Sequence, residues 1–285
     1  MAMQPINLTS GMRANLVSLQ NTNSMMETTQ KRLASGKKVN SALDDPVAYF
    51  TAVAHEQRAT DLAGRKDEMS EAVQTLKAAD NGIGGISTLI AAARSLASSA
   101  LSADGTAVTT LNSQYTQVLT QIDRMAADSG YKGINLLSGT TSSLTVKFSE
   151  AGSSLSSLNI AGFNASSAAT SSGLALSTTS WVNGAGATAT ANTTNVDAAI
   201  TSLDNAKTTL RTESSRLANN LSIITARQEF TQGMINVLKD GAAGLTNADM
   251  NEEGANMLML QTRQALGTTS LSLASQAAQA VLRLF

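Results

Sequence analysis

MSEAVQTLKAADNGIGGISTLIAAARSLASSA, residues 69–100, decides the fold. Met69, Ala72, Leu76, Ala79, Ile83, Ile86, Ile90, Ala93, Ala97 and Ala100 recur at alternating spacings of three and four, and every one is apolar. Such a stripe is one face of a long α-helix packed against other helices. Its many small residues let neighbouring backbones approach closely. Gly82, Gly84 and Gly85 interrupt it at a cost of about 1 kcal/mol each relative to Ala, and read as close-packing or bending points in one helix, with a break into two helices as the alternative.

Outward from this stripe the pattern stays helical. Prolines occur only at positions 5 and 46, so nothing beyond Pro46 forces a helix to stop. Asp44-Asp45-Pro46 supplies an acidic N-cap and a proline at the first helical position. Residues 107–129 carry Val108, Leu111, Tyr115, Val118, Leu119, Ile122 and Met125, the pattern of an amphipathic helix returning antiparallel. Further on, Val196, Ile200, Leu203, Leu210, Leu217, Leu221, Ile224, Ile235 and Leu238 continue a seam whose other sites are Lys207, Ser214, Gln228 and Thr231. Gly241, Gly244 and Asn247 then read as a hinge.

Both ends of the chain are helical by the same criterion. Met12, Leu16, Leu19, Met26 and Leu33 follow a heptad seam completed by Asn23 and Gln30, and Gly36 reads as its C-cap. Met257, Leu260, Leu271, Ala274, Ala278, Val281 and Phe285 share a seam at the other end. The first 40 residues hold Arg13, Lys31, Arg32, Lys37 and Lys38 against Glu27, whereas 241–285 hold two basic residues against Asp249, Glu252 and Glu253. Opposite polarity favours pairing of the two ends, but only weakly for exposed charges. Two paired helices still expose the outer sides of their seams, and repeated self-association would cover them. A head-to-tail contact that does not close a ring gives a helical filament.

Between 130 and 195 the composition changes. Ser138 to Asn195 contains 24 Ser and Thr but only two charges, Lys147 and Glu150. Alternation at Leu144, Val146 and Phe148, and at Leu155, Leu158 and Ile160, predicts small strands. The low charge and scarce large hydrophobes predict a weakly packed surface region.

Composition excludes several chemistries. The 285 residues include no Cys and one His, which removes disulfides, thiolate metal sites and multi-histidine zinc centres. His55-Glu56-Gln57-Arg58-Ala59 begins like a zinc-protease helix, but Ala59 stands where a second His is needed. Gly82-x-Gly84-Gly85 follows no strand, so it is not a dinucleotide fingerprint. Twenty Lys and Arg against 21 Asp and Glu give a net charge of −1, unlike most nucleic-acid binders. The polar N-terminus has no signal-peptide core, and no window approaches a membrane span. No enzyme, cofactor, nucleic acid or membrane is implied.

Two motifs carry a family resemblance. Leu33-Ala34-Ser35-Gly36-Lys37-Lys38-Val39-Asn40-Ser41-Ala42-Leu43-Asp44-Asp45 resembles the N-terminal signature of bacterial flagellins. Asn247-Ala248-Asp249-Met250-Asn251-Glu252-Glu253, then Leu260-Gln261, Gln264, Leu266-Gly267 and Ala280-Val281-Leu282-Arg283-Leu284, is similar to their C-terminal signature. The resemblance implies a mainly α, elongated helical bundle with long coiled-coil-like helices, paired terminal helices and a small β/loop insert. Residues 1–43 and 241–285 would be the two halves of an inner core domain, 44–129 and 196–240 an outer bundle domain, and 130–195 a short variable region. The assembly seam would comprise Met12, Leu16, Leu19, Met26, Leu33, Met257, Leu260, Leu271, Val281 and Phe285. The bundle seam would comprise Met69, Leu76, Ile83, Ile86, Ile90, Leu203, Leu210, Leu217, Leu221 and Ile224.

By the same resemblance the chain polymerises with copies of itself into the flagellar filament, the propeller of swimming. It is extracellular, exported unfolded by the flagellar type III apparatus without a cleaved signal peptide, and meets an export chaperone, the filament cap, hook–filament junction proteins and, in a mixed filament, other flagellins. A junction protein would share similar termini, and the Ser/Thr-rich region permits an adhesive or ligand-binding surface; the two-ended match favours the filament subunit. One departure concerns innate immunity. Many members carry Gln-Arg-Val-Arg-Glu-Leu where the Toll-like receptor for flagellin binds, and this chain has Ala91-Ala92-Ala93-Arg94-Ser95-Leu96. Arg94 and Leu96 match, whereas Ala92 and Ser95 replace an Arg and a Glu, which predicts weak receptor recognition.

Overall fold

The computed structural model describes residues 10–139, 141–149, 156–167, 173–184 and 190–282. Five helices dominate: α1 (Ser10–Ser35), α2 (Pro46–Ala100), α3 (Thr106–Asp128), α4 (Thr193–Thr246) and α5 (Met250–Leu282). Four short strands lie between α3 and α4: β1 (Ser143–Lys147), β2 (Ser157–Ala161), β3 (Val182–Asn183) and β4 (Thr190–Ala191). The chain divides into two compact units. Described residues up to Arg58 together with those from Asn236 form one, and Ala59–Ile235 form the other.

The second unit is built on the seam that opened the sequence analysis. All ten of its residues, Met69 through Ala100, are buried. Helix α3 returns antiparallel to α2, and the glycines mark where the two touch. A Cβ on Gly82 would strike the Ser129 hydroxyl and come within 2.7 Å of Leu137 Cδ1, and one on Gly85 would strike the sulfur of Met125. Gly84, on the opposite side, faces open space. Helix α4 runs antiparallel to α2 along its other flank. The register is marked by Arg94–Asp204 (2.8 Å), Ser214 Oγ donating to Asp80 (2.9 Å) and Lys66 Nζ donating to Gln232 (2.7 Å). Leu203, Leu210, Leu217 and Ile224 are buried here and Leu221 packs against them.

The insert differs from expectation. Strands β1 and β2 pair antiparallel, with Leu144 opposite Ile160 and Val146 opposite Leu158, as the alternation predicts; Leu155 lies outside the described residues. The region is not, however, weakly packed. Leu136, Leu137, Ile160, Phe163, Leu174, Leu176 and Trp181 are buried in the same core as the helices. Trp181 lies against Tyr115 of α3 with ring centroids 4.2 Å apart, and the Tyr115 hydroxyl donates to the Ser177 carbonyl at 2.9 Å. Asp123 accepts from the Ser167 amide (2.6 Å) and hydroxyl (3.0 Å), and Arg216 donates to the Ala161 carbonyl (2.8 Å). The exposed polar residues set the composition. The few large apolar ones cover the side of α3 and α4 that α2 leaves open.

The expected hinge also moves. Gly241 and Gly244 lie inside α4, which continues to Thr246. Burial of Leu238, Ala242 and Thr246 holds the helix in register across them, and without a proline two glycines weaken a helix without ending it. The break falls at 247–249, where Asp249 Oδ1 accepts the amides of Asn251 (2.9 Å) and Glu252 (3.3 Å) and so caps α5.

Candidate assembly surface on the terminal helices

The first unit is organised by the meeting of the two signature motifs. Gly36 adopts φ 70°, the left-handed C-cap conformation, and its amide donates to Arg32 O at 2.8 Å. The chain then turns along the end of α4. The amides of Lys38 and Val39 donate to Thr246 O (2.7 and 3.3 Å), the Ala248 amide donates to Gly36 O (2.9 Å), and Val39 is buried beneath them. Each aspartate of Asp44-Asp45 has its own task. Asp45 Oδ1 accepts the Ala48 amide at 3.0 Å and caps α2, whereas Asp44 Oδ2 accepts the amides of Asn40 (3.0 Å) and Ser41 (2.9 Å) and folds the loop. The Asn40 amide, then the Ser41 amide, hold the Asp44 carboxyl below its ordinary range, because both bonds favour the charged form.

Beyond this crossing α1 and α5 pair antiparallel. Asn15 Nδ2 donates to Ser270 Oγ (3.4 Å), Gln264 Nε2 to Asn23 Oδ1 (3.1 Å), and Arg32 Nη1 to Glu253 Oε1 (3.0 Å). A Cβ on Gly267 would lie 3.0 Å from Leu19 Cδ2, so the glycine admits that leucine. Arg32–Glu253 realises the opposite polarity of the two ends, and Glu253 is buried by it.

The seam of α1 is shifted from the expected one at every second site. Met12, Leu19, Met26 and Leu33 are half-buried, but between them the shielded positions are Asn15, Thr22 and Thr29, while Leu16, Asn23 and Gln30 are exposed. Both series are heptads sharing four positions, and only the polar alternates separate them. On α5, Leu260 is buried and Met257, Leu271 and Ala274 are half-buried, with Gln264 and Gly267 between. Val281 falls within the helix; its side chain, that of Ala278, and Phe285 lie outside the described residues.

What pairing leaves uncovered is the larger feature. Of the 16 large hydrophobic residues exposed among those described, 13 belong to this unit. Val17, Met25, Leu258, Met259, Leu266 and Leu273 lie on α1 and α5, and Leu43, Val47, Phe50 and Val53 on the loop and the first turns of α2. Its buried apolar residues are Val39, Ala52, Leu238, Ala242 and Leu260. A groove of about 420 Å³ runs between α1 and α5, lined by Met25, Thr29, Arg32, Glu253, Met259 and Leu260 among others. Apolar exposure on this scale in one unit marks an interaction surface. Val17, Met25, Leu258, Met259, Leu266 and Leu273 fall off the α1 and α5 seams because they lie outside the monomer's own contact.

The receptor-related segment sits on α2 in the second unit. Ala92, Arg94 and Ser95 are exposed and Leu96 is half-buried. Arg94 is bound within the chain, its Nε and Nη2 donating to the two carboxylate oxygens of Asp204 at 2.8 and 3.3 Å.

Comparison with known proteins agrees with these motifs. Residues 6–142 match the bacterial flagellin N-terminal helical region, and residues 193–285 the bacterial flagellin C-terminal helical region. Flagellin FljK of Caulobacter vibrioides is 30% identical over the full length of both chains. The flagellin of Listeria monocytogenes is 27% identical, over 92% of this chain and 91% of its own. The crystal structure of Bacillus cereus flagellin matches with a TM-score of 0.46 and 19% identity, covering 57% of this chain and 88% of that one. With both terminal regions matched in order on either side of the insert, the chain belongs to the bacterial flagellins.

Proposed function

We propose that the chain is a structural subunit of the bacterial flagellar filament and that copies assemble through the exposed apolar surface of α1, α5 and the loop between α1 and α2. The carrying observation is that, among its described residues, the terminal unit exposes more large hydrophobic side chains than it buries. Burying one fully contributes about 1.5–3 kcal/mol, so covering half a dozen in a neighbour offsets an association cost of roughly 4–15 kcal/mol. The seam residues Met12, Leu19, Met26, Leu33, Met257, Leu260 and Leu271 hold the pair together, and Leu16, outside that contact, joins the outward face. Met69, Leu76, Ile83, Ile86, Ile90, Leu203, Leu210, Leu217, Leu221 and Ile224 keep the bundle rigid. The finer partners follow from family membership: an export chaperone, the filament cap, hook–filament junction proteins and co-assembled flagellins, with delivery to the cell exterior without a cleaved signal peptide.

Seeded polymerisation of the purified chain tests this reading. Unaltered protein is expected to elongate filament seeds without limit. Leu266→Asp, Leu271→Asp and Val281→Asp are each expected to abolish elongation while Trp181 fluorescence and the helical signal of Ala59–Ile235 stay unchanged, because a charge in a dry contact costs several kcal/mol. Normal filaments from Leu266→Asp would overturn the surface assignment, normal filaments from Leu271→Asp or Val281→Asp would overturn the seam assignment, and growth that stops at short oligomers would mark a junction protein instead.

A further inference from the structure

We propose that Met25 and Met259 form an oxidation site at which a peroxide-class oxidant switches assembly off. The chain has eleven methionines and no cysteine, so no thiol competes for oxidant. Six of the eleven, Met12, Met25, Met26, Met250, Met257 and Met259, lie in α1 and α5. Met25 and Met259 are each 49% exposed and line the same groove, one from each helix, whereas Met69 is 0% exposed in the core of the other unit. The groove of about 420 Å³ admits a molecule as small as hydrogen peroxide to both thioethers.

The chemistry is a two-electron oxygen transfer. A sulfur lone pair attacks one peroxide oxygen, the O–O bond breaks as the S–O bond forms, and the departing hydroxide takes up a proton and leaves as water. Sulfur is oxidised to the sulfoxide and the peroxide is reduced. A flexible apolar side chain becomes a polar hydrogen-bond acceptor. In the free subunit the new oxygen stands in water and costs little. Within a contact between subunits it must be desolvated, so oxidation acts on assembly and spares the fold of the other unit. The switch rests on the assembly surface proposed above.

The test uses the full-length chain, treated with hydrogen peroxide and returned to peroxide-free buffer. Peptide mass spectrometry is expected to find one added oxygen at Met25 and at Met259 well before Met69. Seeded elongation is expected to fall by roughly tenfold or more, as a buried acceptor without a partner requires. Methionine sulfoxide reductase is expected to restore it. The Met25→Leu/Met259→Leu variant preserves side-chain volume, and its elongation after peroxide is expected to match its own elongation before it. Unchanged elongation with both sulfoxides present, equal loss in the double variant, or slower oxidation of these residues than of Met69 would each overturn the proposal. If untreated protein fails to elongate, the assembly reading itself falls and the switch with it, a result that the untreated control separates from the others.

Discussion

Two alanine substitutions two residues apart in α2 should move stability in opposite directions. Gly82 is buried where α2 meets the end of α3, and an added Cβ would meet Ser129 Cβ at 2.6 Å and Leu137 Cδ1 at 2.7 Å as well as the Ser129 hydroxyl. Ser129 is the C-cap of α3 and its hydroxyl is already bonded to Met125 O, so it cannot swing away freely. Contacts this short put the overpacking cost in the upper part of its usual range, about 2–3 kcal/mol, and the helix gains about 1 kcal/mol when Gly becomes Ala, which leaves Gly82→Ala about 1–2 kcal/mol less stable. Gly84 has nothing within 4 Å of its virtual Cβ. Gly84→Ala therefore keeps only the propensity gain of about 0.5–1 kcal/mol. In a unit of this size each kcal/mol shifts Tm by about 2–4 °C. Trp181, the single tryptophan, reports unfolding of this unit through its packing on Tyr115. Thermal melts followed by its fluorescence should place Gly82→Ala below and Gly84→Ala above the unaltered protein. Equal signs, or a Gly82→Ala melt at or above the original, would refute the close-packing account.

Burial pushes the Tyr115 phenol from its ordinary 10.0 up to about 12; with the folded value raised, stability is level below pH 10.0 and falls as pH rises towards about 12. Urea midpoints across that alkaline window should fall, and phenolate absorbance should show a late-titrating component that Tyr115→Phe removes. For Asp44 the folded value is depressed, so its loop is ordered above the ordinary 3.8 and loosens as pH falls through the lower folded value. Hydrogen exchange at the Asn40 and Ser41 amides should speed up there, and Asp44→Asn should show fast exchange already at neutral pH. Receptor reporter cells should respond poorly to the chain at low protein concentration, since Ala92 and Ser95 offer neither guanidinium nor carboxylate and Arg94 is held by Asp204. Robust signalling would contradict that.

The legibility of the fold tracked how directly a residue's burial follows from local period. Met69 to Ala100 could be read position by position, because a helix flanked on both sides buries one continuous stripe and no polar residue interrupts it. The α1 seam was read one residue off at alternate sites. Leu16 competes with Asn15, and hydrophobicity prefers the leucine, yet the structure shelters Asn15, Thr22 and Thr29 and leaves Leu16 41% exposed. The insert was misread because composition averages over residues, whereas packing depends on a few. Trp181, Phe163 and Ile160 are outnumbered by serines and threonines of which, among the described residues, only Ser167 is buried. At the candidate surface, the contact of 36–39 with 246–248 falls where the two signature motifs meet, but nothing in either motif alone says that they touch. The outward residues Met259, Leu266 and Leu273 do recur every seventh position, but period alone does not tell a second face of α5 from the monomer's own seam, since their burial would depend on another molecule.

That last distinction bears on why the two units are built so differently. In the second unit, apolar stripes from three helices and an insert close on one another, so its order needs nothing outside the chain. Along α1 and α5 the sheltered positions are Asn15, Thr22, Thr29, Gln264 and Gly267 among a few methionines and leucines. Polar and glycine seam sites specify register, but they return little free energy against the conformational entropy of ordering two helices. Two long helices with so thin a seam are marginal as an isolated pair. The apolar side chains that could offset the deficit are present, but they point outward, and a neighbouring copy is what would cover them. On the assembly proposed above, ordering of the termini and addition of a subunit would be coupled: a neighbouring copy would add stability to α1 and α5, whereas Ala59–Ile235 would gain none from it.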